Sequence, residues 1–180
     1  DGRTAAVIGL GRNGRAVARC LSAMGVRVVG VRANPGPTEH VDRVFGFPGL
    51  HQALGEADFT VLCLPLTEIT RHCIDAAAIA AMKPGAILVD ISRGGVVEGG
   101  ALAAGLRSGH VAGAALDVFE TEPRPPDSPF WTLENVIITP HCSAVYEGWE
   151  RRSIEIFGDN LARRLRGEPL ENIVDPTRGY

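Results

Sequence analysis

The sequence predicts an α/β chain built on a doubly wound parallel sheet, and three observations predict it. Short runs that are apolar throughout alternate with segments of helical periodicity, as strands covered by helices on both faces require. A glycine triplet follows the first such run and opens the first helical segment. Polar and charged residues collect just past the ends of the runs, on the edge where open α/β sheets bind ligands.

The elements follow in order. "AAVIGL" reads as a buried strand running into glycines, and "GRAVARCLSAMG" as a helix with Val17, Leu21 and Met24 at helical spacing, stopped at Gly25. "VRVVGV" is a second strand, ended by "NPGP"; "FTVLCLPL" is a third. "DAAAIAAMKPG" is a short alanine-rich helix, "AILVDI" a fourth strand and "EGGALAAGLRSG" a helix softened by glycines. "VAGAALDVF" and "NVIITP" are the fifth and sixth strands, separated by "ETEPRPPDSPF", whose four prolines mark a long loop. A last helix is expected over Val145 to Arg166.

Composition narrows the function. With 180 residues, 45% hydrophobic and 22% charged, the chain has the make-up of a globular domain with a sizeable core. The net charge is -3, Lys83 is the one lysine, and no basic run provides a nucleic-acid footprint. No apolar run reaches the length of a membrane span, and the N-terminal residues lack the pattern of a secretory signal. Cys20, Cys63, Cys73 and Cys142 form no CxxC pair. Cys20 and Cys63, inside apolar segments, are expected to be buried thiols, which points to a reducing, cytoplasmic setting without disulfides or a metal site.

"GLGRNG" supplies Gly9, Gly11 and Gly14 as a GxGxxG turn between a strand and a helix, the Rossmann-type arrangement. The glycines permit a tight turn and close backbone approach to a pyrophosphate, and the helix N-terminus adds amide donors and the positive end of its dipole. At the end of the second strand, where a carboxylate would bind the ribose hydroxyls of NAD, stands Arg32. A guanidinium fork suits a 2′-phosphate, so the expected cofactor is NADP in preference to NAD.

"VDISRGGVVE" places Arg93 past the fourth strand, in a turn whose glycines let the guanidinium face a ligand carboxylate. "LDVFETEP" offers Asp117, Glu120 and Glu122 past the fifth strand, and "VIITPHCSA" sets His141 past the sixth. A carboxylate bonded to a histidine fixes its tautomer and favours the charged imidazolium. Cofactor, carboxylate anchor and acid–base histidine suffice to interconvert a 2-oxo acid and a 2-hydroxy acid.

The segments "VIGLGRNGRAVA", "LCLPLTEITRHCID", "MKPGAILVDISRGGVVEGGAL", "GAALDVFETEPRPPDSPFWTLENVIITPHCSA" and "GEPLENIVD" together make the sequence similar to the D-isomer-specific 2-hydroxyacid dehydrogenase family. That family includes glyoxylate and hydroxypyruvate reductases, phosphoglycerate dehydrogenase and formate dehydrogenase. The resemblance covers nearly the whole chain in order, with a lean toward glyoxylate/hydroxypyruvate reductases. It implies that Arg93 holds the substrate carboxylate, that Glu122, before Pro123, pairs with the catalytic histidine, and that His141 is that histidine; Glu120 becomes a bystander. It places Asp117 near the nicotinamide carboxamide, and Arg12, Asn13, Leu64, Pro65, Thr70, Ile91 and Ser92 along the cofactor. Asn13, Glu98 and Arg32 depart from the family's usual residues, and of these Arg32 bears on cofactor choice. Cys142, beside the histidine, is expected to be a packed thiol.

By the same resemblance, residues 1–166 form the dinucleotide-binding domain and 167–180 a tail that returns to a substrate domain. The main part of that substrate domain is absent from these 180 residues, so the chain is expected to be a fragment that binds cofactor but turns over poorly. A homodimer through the cofactor domains is expected. The rival from another class is a nicotinamide-nucleotide-sensing module similar to transcriptional corepressors. A short-chain dehydrogenase is excluded, because Tyr146 is followed four positions on by Glu150 where that chemistry needs lysine.

Overall fold

The computed structural model describes residues 2–175. The chain divides into two compact units, residues 1–140 and 141–180.

The first unit is a seven-stranded parallel sheet. Its strands are β1 (Thr4–Ile8), β2 (Arg27–Val31), β3 (Arg43–Phe45), β4 (Phe59–Leu62), β5 (Ala86–Asp90), β6 (Val111–Leu116) and β7 (Val136–Ile138), in the spatial order β3-β2-β1-β4-β5-β6-β7. Its helices are α1 (Arg12–Ala23), α2 (Leu50–Glu56), α3 (Ala76–Ala81) and α4 (Gly99–Arg107). β1 is buried along its whole length because it lies inside the sheet, with neighbours on both edges and helices over both faces. The larger core gathers Ile8, Leu54, Leu62, Ile74, Leu88 and Leu102, and a smaller one packs Val7, Leu10, Ala18 and Val28 beneath α1.

The predicted doubly wound sheet is present, with one more strand than the six expected from the sequence and one more helix in this unit. β3 has three residues and α2 seven, of which only Leu50, Ala53 and Leu54 are buried. Elements this short complete too little of a period to stand out in sequence. Two predicted strands end three or four residues early: β4 stops at Leu62 rather than Leu66, and β6 at Leu116 rather than Phe119. Beyond them, Leu64 joins the larger core and Leu66 and Phe119 pack against it.

Val17 and Leu21 pack against the smaller core as expected, but Met24 is exposed at the end of α1. Cys20 is exposed as well, which corrects the expectation of a buried thiol: α1 turns Gly14 and Ala18 to the sheet, and Cys20 sits on another face. No helix among the described residues is long and apolar enough to cross a membrane.

The second unit holds α5 (Trp149–Leu165). It starts later than Val145 because Gly148 takes a left-handed φ of 84° at the N-cap. The segment after it folds back on the helix, where Arg163 pairs with Glu171 at 2.7 Å and Asn160 exchanges two bonds with the Glu171 backbone.

Candidate cofactor and substrate-anchoring site

The parallel register brings the strands to a common end. Phe45, Val31, Ile8, Leu62, Asp90, Leu116 and Ile138 lie side by side in one row across the sheet. The next residue of six strands adds one further rung. Arg32, Gly9, Cys63, Ile91, Asp117 and Thr139 donate their amides to the carbonyls of Phe45, Val31, Ile8, Leu62, Asp90 and Leu116, at 2.8–3.3 Å. Five strand spacings separate Arg32 from Thr139, roughly 24 Å at about 4.8 Å each. Four of these residues, Gly9, Arg32, Ile91 and Asp117, are sequence-predicted site residues, and the turns above the rung carry most of the others.

The glycine turn lies where the strand order reverses, between β1 and β4. Gly9 adopts a φ of 99°, and a side chain there would meet the Cys63 carbonyl oxygen at 2.7 Å. A Cβ on Gly14 would sit 1.8 Å from the Gly9 carbonyl oxygen, so only glycine lets α1 start this close to the strand. Gly11, the N-cap of α1, has open space around its missing side chain and no side-chain cap, which leaves the first amides of the helix for an incoming group. Arg12 and Asn13 form the exposed first turn. This cradle fits the pyrophosphate of a dinucleotide. Leu64 walls its β4 side, 3.1 Å from where a side chain on Gly9 would begin. Thr70 is buried with its hydroxyl donating 2.7 Å to the Pro65 carbonyl, closing the turn that carries Pro65.

Arg32 sits at the far end of the rung, its backbone held at 3.1 Å by the Phe45 carbonyl of β3. The strand that sequence reading missed is thus the one that supports it.

Past β5, the Ser-Arg-Gly-Gly turn leaves the sheet. Ser92 is buried and Arg93 exposed. Arg93 Nη1 donates 2.7 Å to the Ser92 carbonyl. A side chain on Gly94 would lie 1.9 Å from the Phe119 carbonyl oxygen, so the anchor turn presses on the loop that holds Glu122. In that loop, Glu122 Oε1 accepts from the Phe119 amide at 2.8 Å. Glu120, read as a bystander, bonds His72 Nε2 at 3.1 Å and ties the same loop to the segment after Thr70. Sequence reading found no signal for this tie, because His72 and Glu120 are 48 residues apart.

Asp90 and Asp117 are each 3% exposed at the ends of adjacent strands. Asp117 Oδ1 accepts from the Thr139 hydroxyl at 2.5 Å, and Asp90 Oδ1 from the Ser92 hydroxyl at 2.5 Å and the Ser92 amide at 2.9 Å. Burial pushes the Asp90 carboxyl up to about 6, with the charge of Asp117 adding, against the two Ser92 bonds that pull it down. Neither Asp90 nor Thr139 was among the sequence candidates; a carboxylate ending an otherwise apolar strand was the available signal for Asp90.

A cavity of about 430 Å³ opens beneath the anchor turn, lined among others by Asp90, Gly94, Gly95, Leu102, Phe119 and Phe130. His141 opens the second unit, exposed and with a left-handed φ of 52°.

A glycine cradle at the sheet's switch point, backed by a rung of strand ends, defines a dinucleotide-binding domain. The family model for the NAD-binding domain of D-isomer-specific 2-hydroxyacid dehydrogenases matches residues 1–143. The chain belongs to that family. It is 41% identical to a glyoxylate reductase of Korarchaeum cryptofilum, over 97% of this chain and 52% of that protein. It is 40% identical to a D-3-phosphoglycerate dehydrogenase of Methanocaldococcus jannaschii, over 97% of this chain and 33% of that one. Among solved structures, a D-isomer-specific 2-hydroxyacid dehydrogenase from Xanthobacter autotrophicus, in complex with NADPH and MES, superposes with a TM-score of 0.92 at 40% identity, covering 99% of this chain and 73% of that one. An NADPH-dependent glyoxylate/hydroxypyruvate reductase from Sinorhizobium meliloti, in complex with NADP and sulfate, gives 0.93 at 36% identity, covering 99% and 57%. The chain thus spans about half the length of the glyoxylate reductase it matches.

Proposed function

We propose that this chain is the cofactor-binding part of a reductase that converts a small 2-oxo acid to its D-2-hydroxy acid, with NADPH preferred over NADH. The observation that carries the reading is the anchor turn, which presents the exposed Arg93 from the same sheet edge as the glycine cradle. The bound nicotinamide nucleotide would supply the hydride. Gly9, Gly11 and Gly14 admit the pyrophosphate to the α1 amides, with Arg12, Asn13, Leu64, Pro65, Thr70, Ile91 and Ser92 along its course and Asp117 toward the nicotinamide. Arg93 pairs with the substrate carboxylate through two parallel hydrogen bonds and so orients the carbonyl carbon. His141 gives a proton to the carbonyl oxygen as the negative charge develops there, and Glu122 favours the imidazolium that holds this proton. The last two roles rest on the family pattern.

Arg32 is the residue that favours NADPH, because a guanidinium pairs with a 2′-phosphate and cannot accept from ribose hydroxyls. Relatives crystallised with NADPH and NADP support that choice. In this reading residues 1–166 serve the cofactor and 167–180 serve the remainder of the enzyme; 176–180 lie outside the described residues. Glyoxylate and hydroxypyruvate are the substrates to try first, in a homodimer in the cytoplasm.

Calorimetric titration of the chain with NADPH and NADH tests the reading. NADPH is expected to bind at least about tenfold more tightly, one charge-assisted pair's worth, and Arg32→Asp is expected to reverse the order. Equal binding of both by the unaltered chain removes the NADPH preference, and binding of neither removes the cofactor role.

A further inference from the structure

We propose that Asp90 is a positioning residue for Arg93: through the amide and hydroxyl of Ser92 it sets the turn from which the guanidinium meets the substrate carboxylate. The inference rests on the reading of Arg93 as the carboxylate anchor.

Three observations converge on it. The first is connectivity. One oxygen of Asp90 receives both Ser92 donors, and the Ser92 carbonyl in turn receives Arg93 Nη1 at 2.7 Å. Ser92 is therefore bonded on one side to the end of β5 and on the other to the guanidinium. The second is packing. Asp90, Gly94 and Gly95 all line the 430 Å³ cavity, so packing supports the turn only in part on that side. Two glycines carry no side chains to fix its path; backbone bonds from Val96 to the Arg93 carbonyl and from His72 to the Gly95 carbonyl hold the far side of the turn, and the Ser92 bonds hold the near side, from which Arg93 leaves. The third is rigidity at the base. Asp90 is 3% exposed, and its own carbonyl accepts the Asp117 amide at 3.0 Å, so the acceptor cannot drift with the loop. Bonds to a buried carboxylate are stronger than neutral ones, and here they fix Ser92, whose carbonyl receives the Arg93 guanidinium.

The test uses the 180-residue chain with NADPH present and oxalate as the probe, a dicarboxylate without a reducible carbonyl. Arg93→Gln is expected to weaken oxalate at least about tenfold. Asp90→Ala should weaken it by a comparable factor. Asp90→Asn keeps an acceptor for both Ser92 donors and should restore affinity to within about threefold, whereas Asp90→Val, which fills the space without an acceptor, should stay as weak as Asp90→Ala; equal rescue by Asn and Val overturns the positioning role. Ser92→Ala removes one of the two bonds without altering the carboxylate, and should fall between. The Arg93 side-chain NH signals in the NMR spectrum report the turn without any ligand. They should broaden or shift in Asp90→Ala and Ser92→Ala and return in Asp90→Asn.

The outcomes separate two failures. Oxalate affinity indifferent to Arg93→Gln, or no oxalate binding at all, overturns the anchor reading. The NMR signals still decide whether Asp90 sets the arginine. Arg93 signals unmoved by both Asp90→Ala and Ser92→Ala overturn the positioning role even where Arg93 holds the anion. If Asp90→Ala does not fold, Ser92→Ala and Asp90→Asn carry the same comparison.

Discussion

Asp90 makes a stability experiment with a defined size. Its carboxyl rises from an ordinary 3.8 to about 6 in the folded chain, first because of burial. A raised carboxyl pKa means that the folded state prefers the protonated form, so stability is greatest at low pH. It falls as pH rises through the window from about 3.8 to about 6, then levels. At about 1.36 kcal/mol per unit, the full loss is about 3 kcal/mol once Asp90 is charged. By the same linkage, only about 1 kcal/mol has been lost at pH 4.5. Asp90→Asn has no such titration. The stability of the variant minus that of the unaltered chain should therefore rise by about 2 kcal/mol between pH 4.5 and pH 7.5. Taking this difference cancels every other group that titrates alike in both proteins, along with any pH-independent change the amide makes. Urea unfolding followed by far-ultraviolet circular dichroism at four or five pH values measures it. A difference that stays constant to within about 0.5 kcal/mol across that range would refute the argument that Asp90 is a desolvated carboxylate.

Gly14→Ala places a methyl 1.8 Å from the Gly9 carbonyl. The start of α1 must then move, at a cost of about 3 kcal/mol, and NADPH binding by calorimetry should be lost with it. Gly94→Ala drives the anchor turn against the Phe119 carbonyl, which a Cβ would approach to 1.9 Å; oxalate affinity should fall further than NADPH affinity, and an equal fall in both would contradict the account. Thr139→Val removes the 2.5 Å bond to the buried Asp117 and should cost about 1–3 kcal/mol in urea unfolding, the range for a buried charged acceptor losing a donor.

The glycine cradle was legible because its spacing is local: Gly9, Gly11 and Gly14 must all fall within one strand-to-helix turn. The Ser-Arg-Gly-Gly turn was legible for the same reason, as four residues directly after an apolar run. β3 and α2 were not, since three and seven residues give hydrophobic periodicity too little length to register. Cys20 lies off the face of α1 that Gly14, Val17, Ala18 and Leu21 share, so its place in an apolar segment was a poor guide to its burial. The tie between Glu120 and His72 was not legible, because the two belong to different crossovers 48 residues apart.

The sequence by itself determined the kind of sheet, the cofactor turn and the edge on which the chemistry-bearing residues gather. These follow from patterns a few residues long, repeated in order along the chain. Only the tertiary structure decided that Asp90 holds Ser92 while Asp117 holds Thr139, that Gly94 abuts Phe119, and that β3 backs Arg32. The reason is the register of parallel strands. Which residues lie side by side depends on how each crossover returns to the sheet, and no local pattern in the sequence encodes that distance.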